Sequence, residues 1–131
     1  MSQENAVLVV RLLLEHFVAT GEPAWGMLHD DVEVHDHDIL DAGEYRGHAG
    51  FGRWLEDWGS AWSEYSIEPR DYIDAGERVV AVIGVRAIGR GSGVAVKRED
   101  ALVWLVRGGK ALCLDYYNTK PQALKAVGLE E

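Results

Sequence analysis

From Tyr65 to Asn118 the chain is almost continuous strand-like sequence, cut only by Asp74-Ala75-Gly76-Glu77, Arg90-Gly91-Ser92-Gly93 and Arg107-Gly108-Gly109-Lys110. Breaks this short join antiparallel neighbours, because a parallel crossover needs about a dozen residues or more. The runs Tyr65–Ile73, Val79–Ile88, Val94–Val106 and Ala111–Asn118 therefore form a meander. Gly91-Ser92-Gly93 reads as a hairpin turn and not as a phosphate loop, since no strand-to-helix junction follows it. Within the meander, Val79-Val80-Ala81-Val82-Ile83 is apolar on both faces. Such a strand needs cover on both sides. Helices supply one cover, and a two-fold partner stacked on the outer sheet face supplies the other, so a homodimer is expected.

Upstream the hydrophobic period changes to that of helices. Over Ala6–Ala19, Val7, Val10, Leu14 and Phe17 recur at spacings of three and four, widened by Leu13 and Val18. Ser2 suits the cap, Glu4 the first turn, and Gly21 the stop. Pro23 is placed to open a second short helix carrying Trp25 and Leu28. Asp31–Asp36 then alternates, with Val32, Val34 and Asp36 on one side and Glu33 and His35 on the other, as in a half-buried strand. A polar loop, His37 to Gly47, leads to a helix over Ala49–Trp62 striped by Phe51, Trp54, Leu55, Trp58 and Trp62. Arg53 and Asp57 form an i,i+4 pair on its other side. Pro121–Val127 closes the chain as a helical turn. Helices followed by an antiparallel meander make an α+β layer architecture.

A chain of 131 residues suits one domain spanning 1–131. Its formal net charge of −9 repels phosphate backbones, and no basic run offsets it, so nucleic acid is not an expected partner. The single cysteine, Cys113, excludes an internal disulfide, and in the run Ala-Leu-Cys-Leu it reads as a small buried hydrophobe. Nothing at the N-terminus reads as a secretory signal and no stretch is long enough to span a bilayer. A cytoplasmic protein without membrane contact is the expectation.

Several stretches together resemble the SnoaL-like family of the nuclear-transport-factor-2-like superfamily. They are Glu4-Asn5 opening a long helix, the Gly21-Glu22 break, Asp30-Asp31-Val32-Glu33-Val34-His35-Asp36, and Tyr45-Arg46-Gly47 entering an aromatic helix. Tyr72-Ile73-Asp74-Ala75-Gly76, Gly89-Arg90-Gly91-Ser92-Gly93, Val103-Trp104 and Gly109-Lys110 complete the series in the same order. The resemblance implies a cone-shaped barrel: a strongly curved, mainly antiparallel sheet wrapped around the long N-terminal helix, with about three helices and an apolar cavity. It also implies a carboxylate at the end of the first strand, the position of Asp36. Because the superfamily hosts cyclases, isomerases, dehydratases, epoxide hydrolases and non-enzymatic binders, it specifies the fold more than the activity.

Asp36 is the leading catalytic candidate. A carboxylate in an apolar cleft has a raised pKa, because burial disfavours its charged form, and becomes a base for a proton beside a carbonyl. Tyr116 is the candidate hydroxyl donor and His16, among Leu12, Leu13 and Phe17, a candidate for orienting Asp36. In ketosteroid isomerases an acid and a tyrosine donate to the developing enolate. Registering those roles here lands them on Ala101 and Leu14, both apolar, so the chain departs from the isomerases at that site. The expected substrate-binding wall comprises Leu14, Phe17, Val34, Trp54, Trp58, Glu99, Ala101, Val103, Leu114 and Asn118. The opposite facing of the last strands substitutes Arg98, Asp100 and Tyr117; a β-bulge exchanges the two sets, and both stay open. His35-Asp36-His37-Asp38 invites a metal reading, but a third ligand would have to come from His29, His48 or Asp41. It reads as a solvated strand end, with no metal or organic cofactor expected. The function implied is binding of a small apolar, carbonyl-containing molecule, with cofactor-independent acid/base chemistry on it. The alternative is a non-catalytic hydrophobic-ligand or dimerisation module.

Overall fold

A computed structural model describes residues 3–37 and 45–129. The order is α1 (Gln3–Thr20), a 3-10 turn (Trp25–Met27), β1 (Leu28–Asp36), β2 (Tyr45–Arg46), α2 (Gly47–Gly59), β3 (Trp62–Ala75), β4 (Arg78–Gly89), β5 (Ala95–Arg107), β6 (Lys110–Tyr117) and α3 (Lys120–Ala126). The six strands form one curled sheet in the order β2-β1-β6-β5-β4-β3. The meander of β3 to β6 is antiparallel throughout, as the short breaks require. β1 joins its far edge parallel to β6, a pairing between segments far apart in sequence that no local pattern announces. Among the described residues no helix is long and apolar enough to cross a membrane.

The stripe that α1 buries is Ala6, Val9, Val10, Leu13 and Leu14, while Val18 is exposed. The helix stops where the Gly21 N–H donates to the Phe17 carbonyl at 2.7 Å, in a left-handed conformation that glycine adopts without steric cost. The proposed Ser2 cap and the Glu4 side chain lie outside the described residues. Pro23 does not open an α-helix: only a 3-10 turn forms, and Leu28 already belongs to β1, where it is fully buried. The aromatic helix ends at Gly59, so Trp62 starts β3 instead of extending the stripe. On its polar side Asp57 accepts a 2.7 Å hydrogen bond from the Tyr45 hydroxyl, and the Arg53 guanidinium lies over the Tyr45 ring.

Two apolar clusters sit on opposite faces of the sheet. The larger, concave one joins α1 and α2 to β1, β4, β5 and β6. The smaller gathers Val80, Val82, Ala101 and Val103 under Ala123 of α3, with Ile73, Tyr117 and Val127 around it. α3 is fixed by Thr119, whose hydroxyl accepts from the Gln122 N–H, and by Pro121 in its first turn. The doubly apolar run of β4 is thus covered within one chain, on its second side by α3. Elsewhere that outer face is charged: Arg70 reaches Glu99 at 3.1 Å and crosses Gly84, where a Cβ would collide with its guanidinium.

Candidate functional site

Alternation along β1, β5 and β6, combined with their register, decides what faces the cone. Asp36 pairs with Tyr116 across β1 and β6, and Tyr116 pairs with Leu102 across β6 and β5, so the three share one row and one face. One step along, Val34, Leu114 and Trp104 form the next row. Asp100 precedes Leu102 by two residues and faces the same way. The inward set of β5 is therefore Asp100, Leu102 and Trp104.

Between these rows and the helices lies a cavity of about 60 Å³. Its walls come from Leu13, Leu14 and Phe17 of α1, Pro23 and Ala24 after it, and Phe51, Trp54, Leu55 and Trp58 of α2. The sheet adds Leu28, Ile67, Ile83, Leu102, Trp104, Leu114 and Tyr116. The rings interlock: Phe51 meets Trp54 edge-on at 5.5 Å, and Tyr116 lies 5.8 Å from Trp54 and 6.3 Å from Trp58. The lining is apolar except at its indole N–H groups and the Tyr116 hydroxyl, the only hydroxyl among the lining side chains.

Two buried carboxylates stand beside this wall. Asp36 is 6% exposed and accepts a 2.8 Å hydrogen bond from the Trp54 indole. Asp100 is fully buried and accepts from the Tyr116 hydroxyl. Arg98 Nε lies 2.9 and 3.1 Å from the two Asp100 oxygens, and its guanidinium stacks over Trp62. Burial and the neighbouring Asp100 charge push the Tyr116 phenol well above its usual range, which keeps it protonated and able to donate. Burial works against the Arg98 charge, but Asp100 and Tyr116 outweigh it and hold the guanidinium above its ordinary value. By contrast, the indole N–H groups of Trp58 and Trp104 are buried with no hydrogen-bond partner among the described residues. An unsatisfied buried donor costs about 1–3 kcal/mol, so these two are notable in a wall that is otherwise hydrocarbon.

Of the expected wall, Leu14, Phe17, Trp54, Trp58 and Leu114 line the cavity, together with Tyr116. Val34 is fully buried in the same core without lining it. Ala101 and Val103 face the other way, into the cluster under α3. Glu99 lies on that outer face, exposed and paired with Arg70, and Asn118 is exposed beyond β6. The reason is that Ala101-Leu102-Val103-Trp104 is apolar at every position, so alternation there has no direction until Tyr116 and Leu102 are known to pair. His16 is exposed on α1 and outside the cavity wall, because the helix turns its Leu13 and Leu14 face inward. Cys113, expected as a buried hydrophobe, is only half-buried on the outer face. The residue that registration against the isomerases did not find is Asp100. Its one sequence signal is the period-two series Arg98, Asp100, Leu102, Trp104.

The SnoaL-like domain model matches residues 10–112. No curated protein matches the chain. Among solved structures, an NTF2-like protein from Burkholderia pseudomallei K96243 superposes with a TM-score of 0.76 at 21% identity, covering 97% of this chain and 98% of its own. TerC, co-crystallised with polyporic acid, gives 0.74 at 19% identity over 95% of this chain and 98% of its own. A protein with a ketosteroid isomerase-like fold from Catenulispora acidiphila DSM 44928, in complex with trimethylamine, gives 0.68 at 15% identity over 89% and 92%. Identities this low establish a shared fold.

Proposed function

Because the chain belongs to the SnoaL-like domain family, we propose that its cone binds a small, mainly apolar molecule bearing a carbonyl or similar acceptor. One observation carries this reading: two cavity-lining indoles, Trp58 and Trp104, hold buried N–H donors without a partner among the described residues. A carbonyl oxygen accepting from either would relieve a cost that the folded chain otherwise bears, while hydrocarbon walls take the rest of the ligand. Two structural neighbours were solved with small organic molecules, polyporic acid in one and trimethylamine in the other, which supports binding of a small organic molecule in this fold.

The dimensions set a condition on the occupant. Pockets for drug-sized ligands hold about 300–1,000 Å³, against about 60 Å³ here. A ligand of more than a few heavy atoms therefore displaces the rings of the wall, and tryptophan emission reports its entry.

As chemistry, Asp36 accepts a proton from the carbon beside the carbonyl, and the Tyr116 hydroxyl, turned from Asp100, donates to the oxygen that gains charge. A purely binding role is favoured by a different observation: Asp36 and Tyr116 already have protein partners, Trp54 and Asp100. The two readings separate in one experiment. Native mass spectrometry of the freshly purified protein against its denatured mass identifies any retained molecule, and turnover of compounds of that class is then measured for Asp36→Asn. Turnover lost with affinity kept assigns Asp36 as the base; turnover unchanged in Asp36→Asn removes Asp36 from the mechanism; and a retained molecule that the unaltered chain does not turn over leaves the cone a binding module. A chain that retains nothing, and whose tryptophan emission no apolar carbonyl compound alters, refutes the pocket itself.

A further inference from the structure

The outer face of the same two strands carries a separate group of side chains. Glu33 pairs with Cys113 and His35 with Asp115 across the parallel β1–β6 ladder. Residues two apart on a strand share a face, so the four make a small grid, two from each strand. One ligand atom each from Glu33, His35 and Cys113 can be chosen so that all lie within 4.8 Å of one another. The Glu33 carboxylate is already held: one oxygen takes the Arg46 guanidinium, and the other stands 3.9 Å from His35 Nε2. Asp115 adds a carboxylate oxygen 3.8 Å from the Cys113 sulfur, and its other oxygen lies 2.9 Å from His37 Nε2.

We propose that Glu33, His35 and Cys113 bind a zinc ion on this outer face, with Asp115 as the nearest further donor. The donor set selects the metal. A thiolate and an imidazole suit zinc and disfavour calcium and magnesium, which take all-oxygen shells. Zinc bonds of about 2.0–2.3 Å hold tetrahedral ligand atoms roughly 3.3–3.8 Å apart, so ordinary side-chain rotation closes the observed spacing. Arg46 orients the glutamate from outside the shell, as partners of metal-bound carboxylates do.

The site is independent of the cone, since its residues point away from Asp36 and Tyr116. The test uses the full chain, stripped with chelator and titrated with cobalt(II) and then zinc. The expected result is one equivalent of cobalt with tetrahedral d–d bands and a thiolate-to-metal charge-transfer band, displaced by zinc. Cys113→Ser loses the charge-transfer band and His35→Ala loses tight binding, while His29→Gln retains both. Alkylation of Cys113 in the unaltered chain decides the matter without a variant: one equivalent of zinc abolishes it. Zinc that leaves the alkylation rate unchanged, or cobalt held without a thiolate band, overturns the proposal.

Discussion

β1 and β6 present two different chemistries from alternate residues of the same strands. On the concave face each buried carboxylate has a donor locked in place, Trp54 for Asp36 and Tyr116 with Arg98 for Asp100. On the convex face Glu33, His35, Cys113 and Asp115 keep part of their contact with water, and two carboxylates stand beside a histidine and a thiol. The difference is one of dielectric. Dehydrated charge is tolerated only when it is compensated by fixed partners, whereas half-hydrated charge can accumulate and wait for a mobile cation. A period of two residues is enough to put a pocket on one side of a strand pair and an ion site on the other.

That contrast is broken most sharply by removing one carboxylate from each face. Asp100→Ala leaves Arg98 and Tyr116 facing an apolar wall, and loss of one member of a buried pair costs about 3–5 kcal/mol. Because Arg98 keeps some access to solvent, the lower end is expected. Glu33→Ala, in contrast, costs under about 1 kcal/mol. Urea unfolding of the two variants measures both. Equal and small losses would mean that water reaches Asp100 and that the two faces do not differ.

A finer cut acts on a single donor. Trp54→Phe keeps an aromatic ring against Tyr116 while removing the donor to Asp36 and part of the indole volume. Hydrogen bonds to charged groups are worth about 1.5–3 kcal/mol, so a loss in that range is expected from chemical denaturation. A loss of a few tenths would show that the indole packs beside Asp36 without stabilising it.

The fold was legible in the sequence because its meander is local: short breaks dictate antiparallel neighbours, and the inward side of Val32, Val34 and Asp36 follows from alternation alone. Tyr116 shares a period with Leu114, but the choice between it and Tyr117 stayed open until the pairing of Tyr116 with Asp36 and Leu102 settled it. Asp100 was legible only as one of two open facings of its strand, and the outer grid not at all, for one physical reason. Their partners come from non-local register, Leu102 with Tyr116 and Glu33 with Cys113. The run from Ala101 to Trp104 is apolar at every position and hides its own direction. Similarly, His35 has no third ligand within its own segment, and the one it meets arrives through the parallel β1–β6 pairing.

Alkaline titration compares the faces without altering the core. Cys113 outside and Tyr116 inside are both held above their ordinary pKa, by burial first and then by neighbouring carboxylates. The folded chain therefore binds more protons than the unfolded chain above the unfolded pKa, and stability falls as pH rises. The Cys113 contribution is intact below pH 9.0 and lost by about 12, whereas that of Tyr116 starts to fall only above 10.0. Stability measured by urea unfolding against pH should show the earlier onset vanish in Cys113→Ser and remain in Tyr116→Phe. An unchanged onset in Cys113→Ser would mean that neither burial nor the outer carboxylates hold the thiol above its ordinary range.

The smallest effect should come from Arg46, which is 65% exposed and pairs with Glu33 at the edge of the outer grid. Exposed ion pairs contribute about 0.2–1 kcal/mol, so Arg46→Ala should barely move the urea midpoint of the metal-free chain. Its influence on the grid is of another kind, because the guanidinium fixes which way the Glu33 carboxylate turns. Loss of such an outer partner weakens metal binding by about 10–100-fold while leaving the ligands themselves intact. A variant of near-normal stability with zinc affinity reduced by that factor would show Arg46 acting on carboxylate orientation. Equal zinc affinity with and without Arg46 would assign the orientation to the β1–β6 backbone alone.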